Sequence, residues 1–206
     1  VACAALGIVA FARNAQAGTY TWNKLNAGTY AWDTTVSSGS NWTPNNTAWD
    51  STADAVFPVP SANVSVNNVS LTVGNLTIYG TSSANYTIGT TTGKSISVAS
   101  ASFIGGTTSW LTGLQNIGST PSSISVNANT AVIVGDSTKG TWHNLSGTVA
   151  NNGSIIFRRT LNGTNAFTMN GVGSVTIDSA ASGYLTLFTG NNSWSGGTTV
   201  ISGTLK

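Results

Sequence analysis

Residues 63–98 read NVSVNNVSLTVGNLTIYGTSSANYTIGTTTGKSISV, and this stretch decides the fold class. Apolar side chains occupy every second position in its runs 63–66, 70–73, 75–79 and 94–98. A period of two residues is typical of β-strands. Gly, Asn and Ser clusters separate the runs, as they do where strands turn. The stretch therefore predicts a succession of short strands.

The same alternation continues toward the carboxyl end of the chain. It recurs in the runs 123–126, 131–134, 153–157, 174–177 and 184–188. Successive runs are mostly about ten residues apart, a spacing that fits an all-β domain, either a sandwich or a solenoid. Periodicity alone does not decide between these two architectures.

Composition favours the solenoid. Thr, Ser, Asn and Gly supply 105 of the 206 residues, and Glu is absent. The chain has few of the charged, helix-forming residues that the solvent faces of helices need. This composition excludes an all-α protein. In a solenoid, small polar residues stack from coil to coil at about 4.8 Å, so the outer faces need few charges. With roughly 20 to 25 residues per coil, residues 60–206 would form about six or seven coils.

Charge limits the classes of partner. The net charge is +2 and only 6% of the residues are charged, while 40% are hydrophobic. Disorder driven by charge is therefore excluded. The seven Lys and Arg residues are scattered along the sequence. This argues against nucleic-acid binding, because phosphate recognition needs clustered basic side chains.

The amino-terminal residues 1–17 are interpreted as part of a signal peptide. Residues 1–12 are apolar and too few to span a bilayer, and Ala15-Gln16-Ala17 has the small-x-small pattern of a cleavage site. The interpretation places the mature amino terminus at Gly18 and predicts an exported protein that continues beyond both ends of the sequence. A competing interpretation makes Cys3 a lipidated residue, although its apolar stretch follows the cysteine.

Residues 18–60 form a distinct, Trp-rich opening segment, and residues 61–206 form the predicted solenoid. Four of the seven tryptophans lie in the opening segment: Trp22, Trp32, Trp42 and Trp49. Large apolar rings suit the cap of an open solenoid end. The same rings stack on sugars, so the four tryptophans are also candidate glycan contacts.

The last coil carries a family resemblance. Residues 183–205 contain a Leu-x-Leu strand, a Gly-Asn-Asn turn, an aromatic residue, Ser-Gly-Gly-Thr-Thr and Gly-Thr-Leu. This pattern resembles the autotransporter-associated β-strand repeat, also called the passenger-associated transport repeat. The residues that match are Leu185, Leu187, Gly190, Asn192, Trp194, Ser195, Gly196, Gly197, Thr198, Thr199, Gly203, Thr204 and Leu205. The family usually has Tyr at the position of Trp194.

The opening segment also looks like the start of large exported repeat proteins. The matching elements are Thr21-Trp22, Trp32-Asp33, Asn41-Trp42 and the residues 54–57. The resemblance implies a right-handed parallel β-helix, secretion or surface display in bacteria, and a parent protein with a carboxyl-terminal barrel or sorting signal. Membrane contact would then occur only through export or anchoring regions.

Candidate catalytic and metal-binding residues are few. His143 is the single histidine and lies near Asp136 and Ser137, but no nucleophile-elbow pattern surrounds any serine. Asp50 and Asp54 are the closest acidic pair, and turn capping is the favoured role over metal binding. The sequence predicts no metal or cofactor site.

A polysaccharide-active enzyme would need paired carboxylates, or carboxylate-bound calcium with a basic residue. The only candidates for such a site are Arg158, Arg159 and Asp178. Adjacent arginines on a strand point to opposite faces, and a structural role is favoured over a catalytic one.

The residues favour a noncatalytic, secreted or surface-displayed β-helix that acts as a stalk or an adhesive surface. A polysaccharide-binding or polysaccharide-degrading β-helix is the alternative. The expected partner is a surface ligand, with glycan as a candidate, and the open solenoid end is expected to self-associate. In the last coil, Leu185, Leu187, Val200 and Leu205 are expected to face the lumen and to stack on residues one coil earlier. The candidates for those partners are Val175, Ile177, Ile155 and Phe157.

Overall fold

The computed structural model describes residues 18–32, 41–44, 49–50, 53–68, 70–89, 95–110, 113–116, 123–135, 147–158, 163–165, 167–179, 185–188 and 190–206. These residues form twenty-one strands and no α-helix, which confirms the all-β prediction. In chain order the strands are β1 Thr19–Trp22, β2 Gly28–Trp32, β3 Trp42–Thr43, β4 Asp54–Phe57, β5 Val64–Asn68, β6 Leu71–Tyr79, β7 Tyr86–Ile88, β8 Ser95–Ile104, β9 Gly106–Trp110, β10 Gly113–Asn116, β11 Ser123–Val126, β12 Thr130–Val134, β13 Gly147–Asn151, β14 Ser154–Phe157, β15 Gly163–Asn165, β16 Phe167–Gly171, β17 Ser174–Asp178, β18 Leu185–Phe188, β19 Ser193–Trp194, β20 Thr198–Ser202 and β21 Thr204–Leu205.

The strands form three sheets. Sheet A has ten strands in the order β19-β16-β13-β11-β8-β6-β4-β1-β3, with β10 beside β8. Sheet B has eight strands in the order β2-β5-β7-β9-β12-β14-β17-β20, and sheet C has the order β15-β18-β21. Among these strands, only β3 runs antiparallel to its neighbour, which is β1. Each strand pairs with its equivalent one coil later, so the chain is a parallel β-solenoid, as predicted.

Coil length agrees with the prediction. In the predicted solenoid from residue 60 onward, equivalent residues in neighbouring coils are mostly 20 to 25 positions apart, as for Val149 with Met169 and Leu76 with Ala101. The first coil is longer, since Gly28 pairs with Val64. The spacing varies because turns of different length connect strands that keep the same register. Insertions therefore lie at the corners and leave the sheets intact.

The lumen is lined by columns of apolar side chains, one per coil. In sheet B one column is fully buried and consists of Val66, Ile88, Trp110, Val134, Phe157 and Ile177. In sheet A the corresponding column contains Phe57, Ile78, Phe103 and Val126, each at most 1% exposed. Between these positions the polar residues point outward, because successive side chains of a strand face opposite sides.

The coil has a third side. Leu71 and Val73 are buried, and the next buried positions of β6 are Leu76 and Ile78. The alternation therefore slips by one residue at Gly74, where β6 bends from the third side into sheet A. β8 spans the same two sides, since β10 pairs with its first half. In the last coils, sheet C forms this side.

The third side corrects two expected stacking partners. Val200 pairs with Ile177, as predicted. Leu187 pairs with Thr164, and Leu205 pairs with Thr186. The candidate partners of these two leucines were wrong because those candidates lie in sheet B, whereas β18 and β21 lie in sheet C. The side chains of Leu185 and Leu187 lie outside the described part of the structure.

Glycines form a ladder at the corner between sheets A and B. A Cβ atom on Gly173 would overlap the carbonyl oxygen of Gly153, and one on Gly196 would overlap that of Gly173. Gly197 has φ +87°, a left-handed conformation that glycine adopts without strain. The absence of side chains on the ladder allows consecutive coils to approach closely.

The two ends of the described solenoid differ. At one end β3 covers β1, and the residues 1–17 of the predicted leader lie outside the described residues. At the other end β20 has no further neighbour in sheet B. Val200 is 48% exposed and Ile201, at an irregularity in the ladder, is 67% exposed. In this structure the last rung presents exposed apolar side chains, and no described strand pairs with the outer edge of β20.

We predict that the 206-residue chain self-associates through this rung. The Val200→Lys variant should weaken dimerisation by about tenfold or more, because a symmetric contact would bring two lysines together. Analytical ultracentrifugation over a range of concentrations measures the effect, with Thr168→Lys on sheet A as the matched control. A strictly monomeric wild-type chain, or equal effects of the two variants, would contradict the prediction.

Candidate functional site

The four early tryptophans form one aromatic cluster at the β3 end of the lumen. Trp22 and Trp32 are fully buried, and Trp42 and Trp49 are at most 8% exposed. The ring centroid of Trp42 lies 4.9 Å from that of Trp22 and 5.2 Å from that of Phe57. Distances of this size are typical of aromatic pairs in tilted and edge-to-face contact.

Hydrogen bonds hold this cluster in place. Trp22 Nε1 donates to the carbonyl oxygen of Lys24 at 2.9 Å, and Trp49 Nε1 donates to that of Thr72 at 2.8 Å. Asn41, just before β3, donates from Nδ2 to the carbonyl oxygen of Ala31 at 2.7 Å. The cluster is thus tied both to its own segment and to the coil that follows.

Burial decides between the two interpretations of Trp22, Trp32, Trp42 and Trp49. Stacking on a sugar requires an open ring face, and these rings pack against each other instead. Their proposed glycan contact is therefore corrected: in this structure they form the cap of the lumen. Tyr86 continues the cluster because its ring contacts that of Phe57. Its hydroxyl donates to the carbonyl oxygen of Pro58 at 2.8 Å, and burial raises the pKa of this hydroxyl.

Polar side chains connect the coils on the outer surface of sheet A. Asp54 Oδ1 accepts hydrogen bonds from the backbone N and from Nδ2 of Asn75, at 2.7 and 3.0 Å. Asn75 Oδ1 in turn accepts from the hydroxyl of Ser100 at 2.6 Å. Asp54 is thus the charged end of a polar ladder. The backbone carbonyl oxygen of Asp50 accepts a hydrogen bond from Ala53 N at 3.0 Å, close to Trp49 in the sequence.

A second ladder runs along sheet B. Asn63 Oδ1 accepts from the backbone N of Asn85 at 3.0 Å, and Asn85 Oδ1 accepts from that of Thr107 at 2.9 Å. Each bond joins the side-chain oxygen of an asparagine to the backbone of the next coil. Such ladders satisfy polar groups without ionisable residues.

The two described members of the candidate enzyme site bind each other. Arg158 Nε lies 2.9 Å from Asp178 Oδ2, with side chains 40% and 30% exposed. The pair joins consecutive coils just after the matched residues Phe157 and Ile177, which is a structural arrangement. Arg159 lies outside the described residues.

The other candidate catalytic residues, Asp136, Ser137 and His143, also lie outside the described residues. Within the described part of the chain, no cluster of three or more His, Cys, Asp or Glu residues could hold a metal ion. In the same part, no helix has the length and apolar character needed to cross a bilayer.

The residues that resemble the transport repeat make specific contacts in the last coil. Asn192 Oδ1 accepts from the backbone N of Met169 at 2.8 Å, and its Nδ2 donates to the carbonyl oxygen of Gly190 at 2.7 Å. Trp194 Nε1 donates to the hydroxyl of Thr198 at 3.0 Å, and its ring contacts Phe188. These contacts close the turn and fasten the coil to the preceding one.

The rest of the motif forms corners and rungs. Ser195 N donates to the carbonyl oxygen of Gly171, and Gly197 accepts from Val175 N. Gly203 has φ +96°. Thr199 and Thr204 pair with Thr176 and Leu185, and Leu205 packs partly buried against the core. The motif therefore describes one solenoid coil, and none of its described contacts forms a catalytic arrangement.

A shallow groove lies on the outside of the corner between sheets A and B, and we call it the corner groove. Its volume is about 520 Å³, and it is open to solvent on one side. Small or neutral polar residues from four coils line it, among them Ser82, Thr107, Asn129, Ala131, Asn152 and Ser154. None of the described lining residues is ionisable.

Comparison with known proteins adds no family to this description. No protein-family model matches the chain, and neither curated proteins nor solved structures gave a match. The likeness to the transport repeat therefore depends on the residues of the chain itself.

The residues of the corner groove could not be identified from the sequence. Asn129 and Asn152 are two of 22 asparagines, and neither belongs to a motif. The one structural signal is Asn129, the only residue other than glycine with positive φ among the described residues, at 60°. An Asn two residues after another Asn, before a strand, is compatible with such a turn but does not predict a groove.

Proposed function

We propose that the chain is a noncatalytic β-solenoid of an autotransporter-like or adhesin-like bacterial protein, secreted or displayed at the cell surface. It acts there as a rigid stalk or as an adhesive surface. A right-handed coil, export through the segment 1–17 and the parent protein's anchoring region all belong to this proposal.

The observation that supports the proposal most is the parallel stack of sheet B, together with the mainly uncharged polar side chains that join its coils. At about 4.8 Å per rung, the eight strands of sheet B extend about 34 Å. Each coil contacts only its neighbours, so length is gained by adding coils without changing the packing. Polar ladders such as Asp54, Asn75 and Ser100 occupy the outer surface, where an exported rod meets solvent.

Polysaccharide binding is retained as the second candidate because of the corner groove, which presents neutral hydrogen-bonding groups. Polysaccharide degradation has less support. Its two described candidate residues, Arg158 and Asp178, form an ion pair with each other, whereas glycoside hydrolysis uses two carboxyl groups across the scissile bond.

Surface labelling tests the proposal. Antibodies raised against residues 18–206 should bind intact, unpermeabilised cells of the source organism or detect the protein in the culture medium. External protease should remove the cell-bound signal, while a cytosolic marker stays intact. Antigen that is found only inside the cells and is protected from protease would contradict secretion and display.

A further inference from the structure

We propose that the corner groove binds an extended, neutral glycan chain. This inference rests on the proposed adhesive role and assigns that role to a specific surface. The tryptophans of the lumen cap are not part of it.

The groove offers hydrogen-bonding groups that the protein itself leaves unused. The side-chain amide of Asn129 and the hydroxyls of Thr107 and Ser154 form no hydrogen bond with any described residue. Asn152 uses its Oδ1 in one long contact of 3.5 Å with Val172 N, which leaves its Nδ2 available. Amides and hydroxyls of this kind both donate and accept, which matches the hydroxyl groups of sugars.

Small side chains create the space of the groove. Thr107, Ala131 and Ser154 occupy equivalent outward positions on three successive strands of sheet B. The methyl group of Ala131 lies between the hydroxyls of Thr107 and Ser154, so no large side chain fills the groove at this point. At the corner, Asn129 adopts a left-handed backbone conformation. Gly153 packs directly against the carbonyl oxygen of Thr130, so a side chain at position 153 would not fit there.

The lining selects the class of ligand. None of the described residues that line the groove is ionisable, so this lining offers no charge partner to phosphate, uronate or sulfate groups. Nucleic acids need clustered Lys and Arg. A peptide strand would need a free sheet edge, whereas the backbone of β12 is paired on both sides.

The shape selects an extended ligand over a compact one. The lining residues come from four consecutive coils, and the rungs repeat at about 4.8 Å. Polar groups therefore recur along the axis, with the hydroxyls of Thr107 and Ser154 two rungs apart and the methyl group of Ala131 between them. A chain of repeating hydroxyl-bearing units can contact several rungs at once, while a single sugar reaches one or two.

Titration of the full chain with defined sugars tests the inference. The probes are maltohexaose, cellohexaose, mannohexaose and chitohexaose, with glucose as the short ligand and hexagalacturonate as the charged one. At least one neutral hexasaccharide should bind at least about tenfold more tightly than glucose and hexagalacturonate, as measured by chemical-shift perturbation in NMR.

Three variants locate the site. Asn129→Gly removes the side-chain amide, and glycine adopts the positive φ of this position without strain. The variant should weaken binding about three- to tenfold, as expected for the loss of one hydrogen bond. Ala131→Tyr fills the floor and should weaken binding more than tenfold. Thr168→Tyr, exposed on sheet A, should bind like the wild type.

The inference is overturned if no neutral hexasaccharide binds, if hexagalacturonate binds more tightly, or if Ala131→Tyr binds as the wild type does. These results would leave surface labelling of intact cells unaffected, so a failure of the glycan site is distinguishable from a failure of the proposed display.

Discussion

Replacing Ile155 with alanine is expected to lower the free energy of unfolding by about 2 to 5 kcal/mol, the usual cost of a cavity in a packed core. Ile155 is fully buried and stacks between Val132 and Val175 of the neighbouring coils. A shortened side chain leaves a gap that both neighbours line. Urea denaturation followed by circular dichroism measures the change.

The adjacent residue supplies a matched control. Ile156 lies on the outward face of the same strand and is only partly buried. The substitution is chemically the same, so the two variants differ only in burial. Because Ile156 is only partly buried, Ile156→Ala should cost about 1 kcal/mol or less. Equal losses at the two positions would contradict the inward assignment of Ile155 and the alternation on which the lumen is based.

Trp22→Ala is expected to destabilise the chain by about 3 to 5 kcal/mol. The ring of Trp22 contacts those of Trp42 and Phe57 at centroid distances of 4.9 and 5.2 Å, and its Nε1 is hydrogen-bonded to Lys24. The variant therefore removes buried apolar area at the centre of the lumen cap. Thermal denaturation and near-ultraviolet circular dichroism report the loss.

Trp194→Ala is the corresponding change at the opposite end. Trp194 is partly buried, contacts the ring of Phe188 and donates to Thr198, so its removal should cost less, about 1 kcal/mol. If Trp22→Ala instead left stability unchanged and abolished binding of neutral hexasaccharides, the ring would serve a ligand and the cap interpretation would fail.

Much of the solenoid could be predicted from the sequence because its packing is periodic. Alternating runs identify strands, and neutral composition favours coils that bond to each other. The 20-to-25-residue coil and the stacking of Val200 on Ile177 agree with those rules. Each of these features depends on neighbours in sequence or on a regular repeat.

Features that depend on bends between strands could not be predicted. The slip of alternation at Gly74 places Leu71 and Val73 on a third side, and no local pattern distinguishes that slip from an ordinary turn. The stacking partners of Leu187 and Leu205 were wrong for the same reason. The antiparallel strand β3, two residues long, is also too short to give a periodic signal.

The candidate site was less predictable than the fold. Aromatic rings suit both a cap and a sugar platform, so Trp22, Trp32, Trp42 and Trp49 could be assigned only once their burial was seen. The corner groove arises from the juxtaposition of Thr107, Ala131 and Ser154, residues more than twenty positions apart. Such a juxtaposition is a property of the register, which sequence reasoning did not supply.

The parallel register of sheet B is the central claim, and distances between paired spin labels test it most directly. With Cys3 replaced by serine, labels at Thr87 and Thr176 are separated by four rungs, and labels at Ser65 and Thr199 are separated by six. At about 4.8 Å per rung, double electron–electron resonance should give backbone separations of about 19 and 29 Å. Equal separations, or a shorter one for the second pair, would contradict the coil-stacked solenoid.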